Sequence, residues 1–213
     1  MRSILVDGSS TAYGMHGGAD GGWAVRLHRE TGSYNERNVA NPICVYNNAI
    51  PGITLPVVNR KFSNVAELHK PSVSNQIVRI LSVGINEAKI LPGRERPIVS
   101  LGHFASELEI YSSKNLSQMA EMIYVGPQPV DESKTNPIRE TGSIIEDDYV
   151  NEYAELMRRQ ADRDLVPYID VRAMFAQYDM SEVLHEDGRH PNAFGHQLIY
   201  QAVRRELVEL NIF

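Results

Sequence analysis

The 213-residue chain contains a single cysteine, so no disulfide can form within it. Cys44 lies in the apolar run ICVYNNA, with no histidine or glycine-rich turn beside it. It reads as a small buried hydrophobe rather than a nucleophile. Long hydrophobic runs are missing too. None approaches the roughly 18 residues of a membrane span, and the run before Asp7 is too short for the hydrophobic region of a secretory signal. These features lead us to expect a cytoplasmic protein with no membrane span. Basic residues are outnumbered, with 21 Lys and Arg against 27 Asp and Glu and a net charge of -6. Without a basic run or face, nothing argues for a nucleic-acid partner. The mild acidity bears on solubility and names no partner. Internal repeats, low-complexity tracts and domain boundaries are also lacking, so residues 1–213 read as one domain. The 42% of hydrophobic residues can furnish its core.

Short apolar runs rich in β-branched residues do recur. They are Ser3–Val6, Ile43–Ala49, Ile77–Val83, Met122–Val125 and Val166–Val171. Between them lie stretches with helical spacing. A first starts near Trp23, behind Gly21-Gly22. Others are predicted over Val57–His69, Phe104–Met122 and Asp147–Asp162, and the last runs from Ala193 to Leu210. Strands alternating with helices predict a parallel sheet covered on both faces, a three-layer α/β/α sandwich. The stretch Gln128–Ser143 has no periodicity and is expected to be a long loop over one end of the sheet, a candidate lid.

Ligands of such sheets gather at the carboxyl ends of the strands. Four polar segments fall there or beside the last helix. DGSSTAYG follows the first strand and offers Ser9 or Ser10 as a nucleophile. EDGRHPNAFGH offers Asp187 and His190, three apart on a turn, as the carboxylate and base that a serine needs. The plain alternative for that turn is a polar entry to a helix capped by Asn192. NNAIPGIT places Gly52, and SVGINEA places Gly84 and Asn86, where a backbone N–H and an uncharged amide could receive a developing oxyanion. Each is by itself an ordinary turn residue. A metal reading of His185, Asp187, His190 and His196 matches no zinc spacing, and His196 reads as a structural hydrogen-bonding residue near the start of the last helix. His16 and His103 read as loop residues of no special role, although Met15-His16-Gly17-Gly18 is placed to line a site mouth.

Taken in order, GSSTAYG, IPG, GIN and DGRHPNAFGH resemble the SGNH hydrolases, also called GDSL esterases and lipases. The resemblance extends from Ile4 to about Val203. It implies a flavodoxin-like fold with a central five-stranded parallel sheet, and neither a metal nor an organic cofactor. It also distinguishes the two serines. The family's first block has a glycine four residues beyond its serine, and Gly14 stands four beyond Ser10. Ser10 is then the nucleophile, and Ser9 stands where the family usually has Asp. His190 and Asp187 complete a triad, with Ser10, Gly52 and Asn86 as the oxyanion hole. Glu87 stands where an Asp often follows the family's Asn. The expected activity is hydrolysis of small O-acyl esters, either acetylated carbohydrates or short-chain acyl esters. An acyltransferase using the same groups, or a binding module without turnover, are the other readings.

Overall fold

The computed structural model describes residues 1–68 and 76–213. In chain order the elements are β1 (Arg2–Gly8), α1 (Ser10–Tyr13), α2 (Trp23–Arg37), β2 (Ile43–Asn47), α3 (Leu55–Leu68), β3 (Gln76–Ser82), α4 (Leu101–Ser117), β4 (Glu121–Val125), α5 (Glu132–Thr135), α6 (Asp147–Asp164), β5 (Tyr168–Ile169), α7 (Val171–Phe175), α8 (Met180–Val183) and α9 (Ala193–Glu209). The strands lie in the order β2-β1-β3-β4-β5, and every pair is parallel. Strand order reverses between β1 and β3, so the crevice beyond their carboxyl ends is the place where this topology receives ligands.

The strands lack an apolar/polar alternation because both faces are covered. In β1, Ile4 and Val6 pack into one core with Trp23, Leu27, Ile199 and Val203, beneath α2 and α9. On the opposite face, Leu81 and Tyr124 join Phe104, Leu108, Tyr153 and Met157 beneath α4 and α6. Burying such large side chains stabilises each layer by about 1.5–3 kcal/mol per residue. One charged pair interrupts this second face. Asp7 of β1, only 5% exposed, accepts hydrogen bonds from Arg79 Nη1 at 2.8 Å and Tyr111 Oη at 2.9 Å.

Several boundaries depart from the sequence reading. The third helix ends at Ser117, short of the expected Met122, which belongs to β4. Met119 turns the chain with φ of 51°, a conformation its side chain does not announce. The strand expected over Val166–Val171 shrinks to two residues, because the Asp170 side chain caps α7 and draws Val171 into that helix. Cys44 is only partly buried, since β2 is an edge strand. His103 is helical, in the first turn of α4. His69, at the end of the predicted second helix, lies outside the described residues. The stretch 128–143 contains α5, and its Val130 and Ile138 are buried in the core. It is a pinned crossover rather than a bare loop. No helix among the described residues is long and apolar enough to cross a membrane.

Candidate active site

Ser10 is the first residue of α1, reached by a sharp turn from β1. The turn is tight because Gly8 has no side chain. A Cβ there would stand 2.3 Å from the carbonyl oxygen of Ser82. Ser9 N–H donates to that same oxygen, fastening the turn to the end of β3. The residue that replaces the family's Asp therefore holds the turn through its backbone.

His190 and Asp187 come from the loop between α8 and α9. His185 N–H donates to His190 O, and Leu184 bridges Pro191, so the loop closes as a narrow hairpin. Asn192 caps α9 by accepting from the N–H groups of Phe194 and Gly195. The cap reading of this segment and the site reading are thus compatible. Within the hairpin, the Asp187 carboxylate accepts from the N–H groups of Arg189 and His190 and from His190 Nδ1 at 2.5 Å. His190 Nε2 lies 2.7 Å from Ser10 Oγ, across 180 residues of chain. A carboxylate can only accept, so Nδ1 carries the proton and Nε2 receives that of the hydroxyl. Burial alone would raise the carboxyl of Asp187. The bond to His190, its charge and the two backbone N–H groups outweigh burial and hold it well below the usual carboxylate range. The arrangement can draw a proton from Ser10 and stabilise the resulting imidazolium.

Gly52 sits in the loop that follows β2, with φ of 82° and open space on its side-chain face. Asn86 follows β3 and donates through Nδ2 to Ile53 O at 2.9 Å, which ties the two loops together. Its second amide hydrogen has no partner among the described residues. The N–H of Ser10, in the first turn of α1, has no intrahelical acceptor.

Glu87, to which the sequence reading assigns no role, fixes this frame. It is fully buried, and its carboxylate accepts from Leu55 N–H at 2.6 Å and Gly84 N–H at 2.8 Å. Burial pushes its carboxyl up against these hydrogen bonds. Glu87→Gln offers one acceptor for two N–H donors. It should lower stability by about 1–3 kcal/mol, read as a shift of the urea midpoint.

Three further residues converge here: Gln128, which the sequence did not single out, His16, expected at the site mouth, and His185, weighed beside Asp187. Gln128 donates to Thr11 Oγ1 and to Arg189 O, joining the turn after Ser10 to the histidine hairpin. His16 and His185 stack with ring centroids 3.5 Å apart and planes 10° from parallel. Both face Asp187, at 3.6 and 3.7 Å. Burial and the neighbouring His185 pull the His16 pKa down, against the attraction of Asp187. His16, His185 and Asp187 are grouped closely enough to suggest a metal. The stacked rings argue otherwise, because their lone pairs lie in separate parallel planes and do not meet at one point. His196 is the structural hydrogen-bonding residue that its place near the start of the last helix predicts: it donates through Nε2 to Met15 O and accepts at Nδ1 from Trp23 N–H, so both ring nitrogens are engaged.

Those two bonds fix the neutral ring of His196, and burial lowers its pKa to about 4. Between that value and the ordinary 6.5, the unfolded chain binds a proton that the folded chain refuses. Stability therefore rises with pH across this window and falls on acidification. The single group accounts for about 3 kcal/mol. Urea midpoints measured from pH 7 to pH 4 should show this slope, and His196→Gln should flatten it.

Comparison with known proteins identifies the family and the fold. The GDSL-like lipase/acylhydrolase family matches residues 7–198. The chain belongs to that family, and it is an ester hydrolase. No curated protein matches the sequence. Among solved structures, a lipase/acylhydrolase from Enterococcus faecalis aligns with a TM-score of 0.71 at 20% identity, covering 97% of this chain and 95% of that one. An acetylxylan esterase from Geobacillus stearothermophilus aligns with a TM-score of 0.70 at 19% identity, covering 96% and 93%. An α/β hydrolase from the metagenome of Lake Arreo, Spain, gives 0.68 at 20% identity, covering 96% and 94%. At these identities the structural likeness concerns the fold.

Proposed function

We propose that the protein is a serine esterase that removes small acyl groups from O-acyl esters, with acetylated carbohydrates as the leading substrate class. The observation that carries this reading is the unbroken run of hydrogen bonds from Ser10 Oγ through His190 to Asp187. His190 takes the hydroxyl proton as Ser10 attacks the ester carbonyl. Asp187 holds the ring and stabilises its cationic form. The N–H groups of Ser10 and Gly52 and the side-chain amide of Asn86 receive the oxyanion. His190 then protonates the departing alcohol. Water, deprotonated by the same ring, attacks the acyl-enzyme, releasing the acid and restoring Ser10. The acetylated class is supported by the name of the structurally similar acetylxylan esterase.

The test is direct. An alkyl fluorophosphonate should add once to the protein, peptide mapping should place the adduct on Ser10, and hydrolysis of p-nitrophenyl acetate should disappear in step. Labelling at another residue, or activity that survives full labelling of Ser10, would refute the assignment.

A further inference from the structure

His16 reaches the hairpin of Asp187 and His190 from a distant part of the chain, the loop between α1 and α2. That loop holds it in place from both sides. His196 of α9 donates to Met15 O at 2.8 Å, and Arg26 of α2 donates to Gly17 O at 3.3 Å. Gly17 packs against the turn that follows, where a Cβ would stand 2.2 Å from Gly22 N. His16 itself has φ of 62°, a conformation that His and Asn adopt more readily than most residues with a side chain.

A loop pinned in this way delivers one ring to one place. The His16 ring stacks on His185 at 3.5 Å, and its centroid lies 5.4 Å from that of His190. Its Nε2 stands 3.6 Å from Asp187 Oδ2, the oxygen that accepts from His190 Nδ1. His185 in turn accepts at Nδ1 from the Asp187 N–H at 3.3 Å. His16 thus stands against the bond that orients His190 and, through His185, against the backbone that carries the carboxylate. At 3.6 Å a neutral ring makes no hydrogen bond to that carboxylate, whereas a charged ring forms an ion pair with it.

Charge decides which form of His16 the reaction can use. Facing it from the hairpin are His185, Asp187, Arg189 and His190, while Arg26 of α2 and His196 of α9 hold its neighbours. Asp187 is the one carboxylate among these groups, and Arg189 Nε already lies 3.5 Å from it. The carboxylate can still offset the imidazolium that His190 becomes as Ser10 attacks. A second imidazolium at His16 would oppose the first across 5.4 Å. At that separation the repulsion amounts to about a tenfold loss of rate or more. Burial and the neighbouring His185 favour the neutral ring at His16.

We propose that His16 is a positioning residue for the Asp187–His190 pair. As a neutral ring it keeps Asp187 Oδ2 turned to His190 Nδ1. Once protonated, it draws Oδ2 to itself and disfavours the imidazolium at His190. The inference rests on the serine-esterase reading, and His16 acts only through these two side chains.

The test compares wild type with two variants on p-nitrophenyl acetate between about pH 8 and pH 5, with Trp23 emission confirming the fold at each pH. His16→Asn suits the left-handed backbone but has no ring. It should lower the plateau kcat by about tenfold and leave KM within about twofold. His16→Phe keeps a flat ring on His185 and should recover most of that loss. Each acid limb of kcat/KM is then scaled to its own plateau. The wild-type limb should steepen beyond the unit slope of a single protonation, because His190 and His16 both take protons. The His16→Phe limb should keep unit slope and, near about pH 5, retain roughly threefold more of its plateau than wild type. The far-downfield proton resonance of His190 Nδ1 should weaken in His16→Asn and persist in His16→Phe. Limbs of equal slope in wild type and His16→Phe would overturn the inference. So would a His16→Asn variant with the wild-type plateau, or an equal loss in both variants, which would mean that His16 only braces its loop. In all these cases the phosphonate still labels Ser10. Failure of that labelling would instead remove the reading beneath it.

Discussion

Replacing Ser10 by alanine should lower kcat for p-nitrophenyl acetate by about four to six orders of magnitude. The size follows from how the hydroxyl is held. Ser10 Oγ is buried at the start of α1 and lies 2.7 Å from His190 Nε2. Alanine removes one oxygen and leaves the turn intact, because the turn is fixed by Gly8 and by the Ser9 N–H bond to Ser82 O. The urea midpoint of the variant should stay within about 1 kcal/mol of wild type, since one buried hydrogen bond contributes on that order. A sharper test uses non-additivity. If Ser10, His190 and Asp187 act as one unit, His190→Ala alone should cost about as much as Ser10→Ala, and the double variant no more than either. Losses that multiply would mean that the two side chains contribute separately, contrary to the proposed mechanism. Any residual rate above that of water would reflect the amides of Ser10, Gly52 and Asn86.

The sequence announces the parts of this site that depend on local chain geometry. The glycine before the serines, the β-branched runs, the Asp-to-His spacing of three and the cap at Asn192 each belong to one turn or one strand end. The sheet is legible for the same reason, because strands buried on both faces are written as continuous apolar runs. Contacts between distant segments are not written in any local pattern. His16 stacks on His185, 169 positions further along the chain, and no periodicity joins them. Glu87 looks like a neighbour of Asn86 in sequence, but it also anchors Leu55, thirty-two positions away. Gln128 is a single polar residue in a stretch without pattern, yet it bridges Thr11 and Arg189. Helix ends fail where the terminator is unusual. Met119 and Leu165 adopt left-handed backbone in place of the expected glycine or asparagine, so the third and fourth helices end where composition gives no stop signal.

The second large effect concerns stability and begins three residues before Ser10. Asp7 and Arg79 are paired at 2.8 Å, with side chains 6% and 1% exposed. Tyr111 and Asn48 also donate to Asp7, at 2.9 and 3.2 Å. The carboxylate thus joins α4 to β1, β3 and the chain leaving β2, and the last three lead to Ser10, Asn86 and Gly52. Burial raises the phenol of Tyr111 well above its ordinary range, and the charge of Asp7 adds to the effect, so Tyr111 remains a donor. Arg79→Met keeps the length of the side chain and removes its charge. It should destabilise the fold by about 3–5 kcal/mol, because Asp7 would be left as a buried charge without its counterion. The urea midpoint reads this loss directly. Adding Asp7→Leu to Arg79→Met should recover much of it, since an apolar pair of similar volume avoids desolvating two charges. Recovery of the midpoint without recovery of esterase activity would show that the pair, besides holding the sheet together, sets the angle at which β1 delivers Ser10 to His190. Recovery of both would mean that the apolar pair seats Ser10 equally well. An Arg79→Met variant as stable as wild type would show that Asp7 finds water or a second donor when its partner is lost, and that the ion pair does not anchor this face.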